Sequence, residues 1–276
     1  MSAPPASPVA TTSLWQAGVL VPRDDCDVAP AIVEVADSWL VEEGAARGLG
    51  LHRERFLTSI PRSRARELDL DAFWSTAIGG IPAHGAWFPR VELREQLGMP
   101  QLLFRLREAP TLQRSLVLTT HTGRDPRTAP TVKGPDLAAM VRLRTEAQRR
   151  GADEAVLVTP DGHIVEGSTT SIVWWEGDIL CVVDRTLPRI PSTTERTVAA
   201  LATALGIPVE ERRVRPEELD GREVWALNAL HGIRIVTAWQ GGPPATAEEP
   251  GRLSRWRLRM DALRRPLPHG TDGVAA

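Results

Sequence analysis

Helical and strand-like hydrophobic patterns alternate along the sequence from residue 136 to residue 237. An amphipathic helix is predicted over residues 136–150, with apolar residues on one face, arginines on the other and a glycine at its end. A second helix begins at Ser192, where Glu195 three residues later gives a capping-box pattern, and it stops at Gly206. Short strands are predicted over residues 155–158, 163–166, 170–175, 179–183, 223–227 and 233–237. This order has no fixed repeat period, so it predicts a mixed α/β architecture rather than a barrel or a solenoid.

The first 131 residues show weaker patterns that still indicate strands and helices. Residues 1–12 are rich in proline, alanine and serine, and we expect them to be disordered. Strands are predicted over residues 13–22, 31–41, 101–106 and 115–120, and helices over residues 51–60 and 71–78. Residues 121–131 carry two prolines, a glycine and small polar residues without periodicity, which is typical of a linker. The predicted organisation is a smaller N-terminal α/β domain over residues 1–120, an interdomain linker over residues 121–131 and a larger C-terminal α/β domain over residues 132–276.

Composition excludes several classes of function. The 276 residues carry a formal net charge of −2, with a pI near 6.3, so no overall basic field favours a nucleic acid or a membrane surface as partner. Cys26 and Cys181 are too few and too far apart for a disulfide framework or a cysteine-based zinc site, and no histidine pair has metal-ligand spacing. No apolar run approaches the ~20 residues of a membrane span. We therefore expect a soluble cytoplasmic protein with no metal, no nucleic-acid partner and no membrane partner.

Lys133 is the only lysine in a chain that otherwise uses arginine as its cationic side chain. Arginine serves wherever only a positive charge is needed. A single retained lysine therefore suggests a need for an amine that can lose its proton and attack a carbonyl. The alternative is a chance survivor on a solvated loop.

Glu166 gives this amine a candidate partner. The helix and strands predicted after Lys133 return the chain, so that the amine and the carboxylate can face each other across a ligand. With a pyridine aldehyde as that ligand, the amine would form a Schiff base and shuttle a proton, and the carboxylate would keep the ring nitrogen protonated. The helix start at Thr193 and Thr194 offers backbone N–H groups to a phosphate, and Arg55 would neutralise the remaining charge.

Four segments in this order resemble the class IV aminotransferase family of pyridoxal phosphate enzymes. They are the His-x-x-Arg-Phe of residues 52–56, Lys133 with the Gly-Ala-Asp-Glu-Ala of residues 151–155, the Glu-Gly-Ser-Thr of residues 166–169 and the Ile-Pro-Ser-Thr-Thr-Glu-Arg of residues 190–196. Each motif is weak alone, whereas their order and spacing make the resemblance specific. The resemblance extends from about Trp15 to Gly241 and favours the reactive amine over chance survival.

The resemblance implies a two-domain fold-type-IV structure, a pyridoxal 5′-phosphate cofactor, a small-molecule amino substrate and a homodimer. It makes Lys133 the Schiff-base lysine and Glu166 the partner of the pyridine nitrogen. The other implied cofactor contacts are Arg55, which would bind the phosphate, the backbone at Thr193 and Thr194, and Asn228 and Ala229.

Two positions favour a lyase within this family. The Asn-Ala-Leu of residues 228–230 is similar to that of aminodeoxychorismate lyases, and Ser38 falls where those enzymes carry a threonine hydroxyl. A hydroxyl there would relay the proton needed to expel pyruvate as p-aminobenzoate forms; the alternative is a strand serine bonded to the backbone. The hypothesis is an aminodeoxychorismate lyase of folate biosynthesis. Amino acid transaminases of the branched-chain or D-amino acid type are the alternative, and a non-catalytic binding homologue is a more remote one.

Three departures from the family pattern weigh against a standard transaminase. Residues 27–31 replace the usual Gly-Asp-Gly-rich strand entry, and residues 134–136 read Gly-Pro-Asp after the lysine. The chain also has no tyrosine to lie beside the lysine. We therefore expect the lysine to be tuned differently from that of many aminotransferases.

Several further residues have both a functional and a structural interpretation. Arg105 and Arg107 alternate with apolar residues on a predicted strand, so they share a face and are candidates to clamp a substrate carboxylate; a solvated face is the equal alternative. His231 is expected to be structural rather than a substrate contact. The arginine-rich residues 252–265 predict a solvated C-terminal helix. Three tryptophans are expected in the core or in a dimer interface: Trp174, Trp175 and Trp225.

Overall fold

A computed structural model describes residues 10–23 and 31–268 of the chain. Two compact units are present: the first comprises the described residues up to Thr111 together with residues 264–268, and the second runs from Leu112 to Leu263. The strands are β1 (Ala10–Gln16), β2 (Val19–Arg23), β3 (Ala31–Ser38), β4 (Val41–Glu42), β5 (Ala45–Ala46), β6 (Ala86–Trp87), β7 (Arg90–Gln96), β8 (Met99–Arg107), β9 (Ser115–Thr120), β10 (Glu154–Val158), β11 (Ile164–Gly167), β12 (Ser171–Glu176), β13 (Ile179–Val183), β14 (Val209–Arg212), β15 (Val224–Asn228), β16 (Gly232–Gln240) and β17 (Arg265–Pro266). The helices are α1 (Leu49–Ser59), α2 (Arg62–Ala65), α3 (Leu70–Gly79), α4 (Leu137–Arg149), α5 (Thr193–Ala204) and α6 (Arg252–Asp261).

The first unit is built on a five-stranded antiparallel sheet in the order β2-β1-β8-β7-β3. Apolar side chains alternate with polar ones along β7 and β8, so Val91, Leu93 and Phe104 are buried on one face. Phe73 of α3 packs edge-on against Trp15 of β1, with 5.9 Å between ring centroids. The opposite face carries charged side chains of the same strands: Arg90, Glu92 and Arg94 of β7 and Arg105 and Arg107 of β8.

Parts of this unit differ from the prediction. One strand over residues 13–22 is wrong, because Ala17 and Gly18 adopt positive φ angles of 47° and 88° and turn the chain into the β1–β2 hairpin. Residues 10–12, expected to be disordered, belong to β1, whereas residues 1–9 and 27–30 lie outside the described part of the chain. Strand β7 is not predicted at all, although apolar residues alternate with charged ones along it. The predicted helices at residues 51–60 and 71–78 are confirmed as α1 and α3.

The second unit is built on an eight-stranded mixed sheet in the order β11-β10-β9-β16-β15-β12-β13-β14. On one face, Trp175 and Trp225 meet Trp256 of α6 edge to face, with ring centroids 5.3 to 5.7 Å apart. On the other face, Trp174 is buried among apolar strand residues that include Val156. The three tryptophans singled out in the sequence therefore lie in the core of this unit.

The helices and strands predicted from residue 136 to residue 237 are confirmed as α4, α5, β10 to β13, β15 and β16, with ends shifted by three residues or fewer. The C-terminal helix is also present as α6, but it is not simply a solvated helix. Leu253, Trp256 and Met260 are buried along one of its faces, since they fill the core beneath β16.

The division between the two units differs from the expected one. The sequence predicts that β9 belongs to the N-terminal domain, but this strand pairs in parallel with β10 and β16 of the second unit. Strand β17, at the end of the described chain, pairs with β5 of the first unit. Residues 121–131 contain no helix or strand, yet they belong to the second unit, and the His121 N–H donates to the Val156 carbonyl at 2.8 Å. The boundary between the two units is set by pairing between strands that are distant in sequence. The linker-like composition of residues 121–131 does not indicate this pairing.

Two findings bear on the composition argument. No helix among the described residues is long and apolar enough to cross a membrane. Within the same residues, no group of three or more histidine, cysteine or acidic side chains is placed to hold a metal ion. Cys181 is a free, buried thiol, and Cys26 lies outside the described ranges.

Candidate functional site

Lys133 lies in a loop of the second unit that Asp136 closes. The backbone N–H groups of Thr128 and Ala129 donate to the two carboxylate oxygens of Asp136 at 2.8 and 2.9 Å, and the Thr128 hydroxyl adds a third hydrogen bond at 2.8 Å. Although burial acts to raise the pKa of Asp136, these hydrogen bonds lower it below its ordinary value. Asp136 directly precedes α4, so the start of this helix fixes the loop that carries the half-buried Lys133. The Gly-Pro-Asp that departs from the family pattern therefore supplies the residue that holds the lysine loop.

Glu166 is buried at the end of β11, with 5 % of its surface exposed. Burial raises the pKa of its carboxyl from 4.5 to about 7, although the charges of Arg127, Arg189 and Lys133 act to lower it. One carboxylate oxygen accepts a hydrogen bond from Arg127 Nη1, and the other accepts one from the Ile190 backbone N–H at 3.3 Å. The ammonium of Lys133 is thus close enough to Glu166 to influence its ionisation.

Arg127 is a residue of this site that the sequence does not single out. Its side chain is 2 % exposed, and its guanidinium binds both Glu166 and Asp125. Asp125 accepts from Arg127 Nε at 3.0 Å, from Nη2 at 2.6 Å and from the Arg127 backbone N–H at 2.9 Å. Arg127 lies within residues 121–131, whose composition is typical of a linker, and the only sequence signal is the pair of opposite charges two residues apart.

The first turn of α5 is fixed by a cap and an ion pair. Ser192 Oγ accepts from the Glu195 backbone N–H at 3.2 Å, as the capping pattern predicts. The Glu195 carboxylate does not complete the predicted box but accepts two hydrogen bonds from the buried Arg189 guanidinium, both at 2.8 Å. Thr193 and Thr194 are buried in this turn, where backbone N–H groups have no acceptor within the helix.

Glu154 holds the loop at the end of β11. This fully buried carboxylate accepts from the Ser168 hydroxyl at 2.7 Å, from the Thr169 backbone N–H at 2.9 Å and from the Thr169 hydroxyl. Gly167 is required here, because a Cβ at this position would lie 2.2 Å from Thr170 Oγ1. Two of the family-like motifs thus form one hydrogen-bonded unit, which the sequence alone does not reveal.

Asn228 is the last residue of β15, and Ala229 is the first residue of the turn that leads to β16. The side-chain oxygen of Asn228 accepts from the His231 backbone N–H at 2.8 Å. The His231 ring is buried and its Nδ1 accepts from the Gln113 backbone N–H at 3.1 Å. Burial, together with the nearby Arg234, lowers the pKa of His231 to about 4, so the ring is neutral at pH 7. His231 therefore has a structural role, as expected.

In the first unit, Arg55 is fixed by Asp37. Arg55 Nε and Nη2 donate to the two oxygens of Asp37, both at 2.8 Å, and His52 Nδ1 lies 2.8 Å from Asp37 Oδ1. Asp37 is fully buried, and although burial opposes ionisation, Arg55 and His52 hold the pKa of Asp37 far below its ordinary value. Both named positions of the His-x-x-Arg motif thus converge on one carboxylate that sequence analysis did not identify.

Ser38, Arg105 and Arg107 share one face of the five-stranded sheet. Ser38 is opposite Arg90 on β7, and Arg90 is opposite Arg105 on β8, so these three residues form a row across three strands. Arg107 follows two residues along β8 on the same face, which confirms that the two predicted arginines are on one side of their strand. Ser38 is buried, and its backbone N–H donates to Asp37 Oδ1 at 2.7 Å. Arg90 was not among the predicted site residues.

Comparison with known proteins settles the family. The family model described as "Amino-transferase class IV" matches residues 34–239. The chain belongs to the class IV aminotransferase family. A protein named as a probable branched-chain-amino-acid aminotransferase, from Rickettsia bellii, is 33% identical over 82 residues, a stretch that spans 29% of this chain and only 27% of that protein.

Solved structures of this family share the fold. A fold IV-transaminase from Curtobacterium pusillum is 19% identical, with a TM-score of 0.76 over 92% of this chain and 97% of its own. The branched-chain amino acid aminotransferase of Escherichia coli is 16% identical, with a TM-score of 0.76 over 96% and 97% of the two chains. A structure titled as a proposed 4-amino-4-deoxychorismate lyase from Legionella pneumophila is 17% identical, with a TM-score of 0.70 over 85% and 91%. The expected fold-type-IV architecture is confirmed.

Class IV aminotransferases depend on pyridoxal phosphate, so this chain is a pyridoxal-phosphate-dependent aminotransferase or lyase. The chemistry of the second unit fits this cofactor. Glu166 is a buried carboxyl whose neighbouring charges do not fully offset burial, and a protonated ring nitrogen would supply the missing cation. Lys133 supplies an amine in the same electrostatic environment, and the first turn of α5 suits a phosphate.

Proposed function

We propose that the chain is an aminodeoxychorismate lyase, which forms p-aminobenzoate and pyruvate. The environment of Glu166 carries the catalytic part of this proposal. Burial raises the pKa of the Glu166 carboxyl, although Arg127 binds one of its oxygens and the charge of Lys133 is nearby. This carboxyl is therefore suited to stabilise one further cation. That cation is the protonated pyridine nitrogen of the cofactor, and Arg127 keeps the carboxylate oriented toward it.

Two regions of the chain would bind the cofactor phosphate. The backbone N–H groups at Thr193 and Thr194 are in the first turn of a helix, where the helix dipole favours an anion. Arg55 would neutralise phosphate charge with a guanidinium whose orientation is fixed by Asp37. Asn228 and Ala229 would contribute contacts from the end of β15 and the turn that follows it.

Lys133 acts as the base. When bound, pyridoxal phosphate supplies an electron sink for the charge left on the carbon that loses a proton. Lys133 removes that proton from the amine-bearing ring carbon of aminodeoxychorismate. The C–O bond to the enolpyruvyl group breaks with its electron pair on oxygen, and the departing group gains a proton on its methylene carbon and leaves as pyruvate. Ser38 supplies a hydroxyl for this proton transfer. The substrate atoms are shared between the two products, so no acceptor or redox partner takes part.

An amino acid transaminase is the second candidate. Two comparisons favour it: the 33% identity with the Rickettsia protein, which is named as a branched-chain enzyme, and the TM-score of 0.76 with the Escherichia coli enzyme against 0.70 with the proposed lyase. In this reaction, Lys133 would return the proton, and a keto acid would accept the amino group in a second half-reaction. The absence of tyrosine from the chain weighs against it.

A product assay separates the two reactions. The cofactor-loaded protein is incubated with aminodeoxychorismate without any keto acid, and p-aminobenzoate and pyruvate are measured. Equimolar formation of both supports the lyase. An absolute requirement for a keto acid, with transfer of the amino group, would establish the transaminase instead. A protein that binds no cofactor and turns over neither substrate would be the non-catalytic homologue.

The proposed reaction has wider implications. Formation of p-aminobenzoate would assign the chain to folate biosynthesis in the cytoplasm. The family resemblance also implies a homodimer, and sedimentation velocity of the cofactor-loaded protein would give twice the monomer mass of 30.2 kDa if this is right.

A further inference from the structure

Glu195 is an acidic residue in the turn of α5 that is proposed to bind the cofactor phosphate. It directly follows Thr193 and Thr194, in the first turn, where the helix dipole favours an anion. Its side chain is 7% exposed, so water screens its charge only weakly. A phosphate bound in this turn would therefore be repelled by Glu195 unless another group cancels the charge of this carboxylate.

Arg189 supplies the cancelling charge. Its Nη1 and Nη2 donate to the two oxygens of Glu195, both at 2.8 Å, and Nη2 also donates to the Val183 carbonyl at 2.8 Å. The side chains of Arg189 and Glu195 are 6% and 7% exposed, so the pair is held in the interior of the second unit. Two parallel hydrogen bonds fix both the position and the orientation of the guanidinium against the carboxylate.

The third donor position of the Arg189 guanidinium is not used by the protein. Arg189 Nε is buried and has no hydrogen-bond partner among the residues that the structure describes. A buried donor without an acceptor costs free energy until a ligand or a water molecule supplies one. The guanidinium that cancels Glu195 thus keeps a donor beside the turn for an acceptor that arrives with a ligand.

Arg189 also acts on the carboxyl of Glu166. Burial raises the pKa of Glu166, and the charge of Arg189 is one of those that act against this rise. The next residue along the chain, Ile190, donates its backbone N–H to Glu166 at 3.3 Å. The segment from Arg189 to Glu195 therefore joins the carboxyl proposed for the ring nitrogen to the turn proposed for the phosphate.

We propose that Arg189 is a positioning residue for the cofactor phosphate, because it cancels the charge of Glu195 and so lets the first turn of α5 accept a phosphate dianion. This inference rests on the proposed function, since it names a further residue for the same cofactor site. Its sign is specific. Without Arg189 the uncancelled carboxylate repels the phosphate, whereas without the charge of Glu195 the uncancelled guanidinium attracts it. An ion pair that only stabilises the fold would instead give a loss in both cases.

Two matched probes separate the phosphate from the rest of the cofactor. Pyridoxal 5′-phosphate and pyridoxal carry the same ring and the same aldehyde and differ only in the phosphate. Each is titrated into the cofactor-free protein, and binding is followed by visible absorbance. In Arg189→Gln the ratio of the affinity for pyridoxal phosphate to that for pyridoxal is expected to fall at least about tenfold, while the affinity for pyridoxal changes by less than about threefold. In Glu195→Gln the ratio is expected to rise by about threefold.

Arg185→Gln is the matched control, because Arg185 pairs with Glu211 in an exposed position, with side chains 63% and 42% exposed. It is expected to change the ratio of the two affinities by less than about twofold. Arg189→Lys keeps the charge without the paired hydrogen bonds, so it should retain more of the ratio than Arg189→Gln, and it serves if Arg189→Gln does not fold. An unchanged ratio in Arg189→Gln, or a ratio that falls in Glu195→Gln, would overturn the proposal.

A second readout concerns the ionisation of Glu166. Arg189→Gln removes one of the charges that act to lower the pKa of Glu166 and leaves those of Arg127 and Lys133 in place. The pKa of Glu166 should therefore lie above about 7 in this variant, so the pH window in which Glu166 loses its contribution to stability extends to higher pH. Urea denaturation of Arg189→Gln, with and without Glu166→Gln, measures this window. A window that ends where it does in the parent would contradict the action of Arg189 on Glu166.

The outcome is separable from that of the proposed function. The two titrations measure binding and not turnover, so they decide the role of Arg189 whichever reaction the loaded protein catalyses. Equal affinity of the parent for both probes would overturn the role of Arg189 and leave the product assay to decide the reaction. A parent that prefers pyridoxal phosphate through Arg189 but forms no p-aminobenzoate would reject the lyase and keep the role of Arg189.

Discussion

Glu166→Gln replaces a buried ionisable carboxyl by a neutral side chain of nearly the same shape. In the cofactor-free protein, the pKa of this carboxyl is about 7 in the folded chain against an ordinary 4.5. At about 1.4 kcal/mol per pKa unit, ionising it in the folded chain costs about 3 kcal/mol more than in the unfolded chain. That cost already includes the attraction of Arg127, Arg189 and Lys133.

The free energy of unfolding depends on pH because the folded and unfolded chains differ in whether Glu166 carries a proton. Between pH 4.5 and pH 7, the folded chain keeps a proton on Glu166 that the unfolded chain has released. The contribution of Glu166 to the free energy of unfolding therefore falls as pH rises through this window and stays low above it. Glutamine has no such proton, so the stability of Glu166→Gln relative to the parent should increase by about 3 kcal/mol from pH 4.5 to pH 8.

Urea denaturation of the cofactor-free parent and variant across this pH range measures the difference, and groups common to both proteins cancel. Glu146→Gln, at an exposed position on α4, is the control and should follow the parent at every pH. In the cofactor-loaded protein, Glu166→Gln should lose activity by about a hundredfold or more, because the ring nitrogen loses its anionic partner. A stability difference that does not change with pH would refute the assignment of Glu166 as a carboxyl held in an unfavourable environment until a cation binds.

Three further substitutions test other parts of the account. Arg127→Gln should destabilise the cofactor-free protein by about 3 kcal/mol at pH 8 and by less at pH 5, where Glu166 is protonated and only the pairing with Asp125 is left to lose; urea denaturation giving equal losses at the two pH values would contradict this. Asp37→Asn should cost about 3 kcal/mol or more, because the Arg55 guanidinium loses its buried partner, and the loss should persist at pH 4, since the lowered pKa keeps Asp37 ionised there; a thermal melt near that of the parent would count against it. Ser38→Ala should slow p-aminobenzoate formation about a hundredfold while Ser38→Thr retains it, and equal rates in all three proteins would remove Ser38 from the reaction.

The sequence predicts the second unit better than the first, and the reason is local. Strands and helices from residue 136 onward are marked by periodicity, by the Ser192 cap and by glycine ends, all of which act within a few residues. In the first unit, Val91 and Leu93 of β7 alternate with charged residues. These charged residues lie on the other face of the sheet and are largely buried there, not exposed to solvent. Strand β7 is formed by pairing with β3 and β8, and the local sequence does not indicate these pairing partners.

The sequence predicts the residues that would carry the chemistry of the candidate site. It does not predict the buried residues that hold them in place. Lys133 and Glu166 stand out because their residue types are rare or placed in a family-like motif. Arg127 and Asp37 act through contacts with residues far along the chain, 39 positions away for Arg127 and up to 18 for Asp37. The folded backbone determines which distant residues become neighbours. A segment with the composition of a linker, residues 121–131, can therefore supply the buried guanidinium of the site.

A visible spectrum followed by chemical trapping tests most directly whether the cofactor is linked to Lys133. The protein is supplemented with pyridoxal 5′-phosphate, freed of excess, scanned in the visible, reduced with borohydride and digested for mass spectrometry. We expect a visible band in the parent and, after reduction, cofactor mass on the peptide containing Lys133, with both lost in Lys133→Ala. A colourless parent with an unmodified Lys133 peptide would contradict the account.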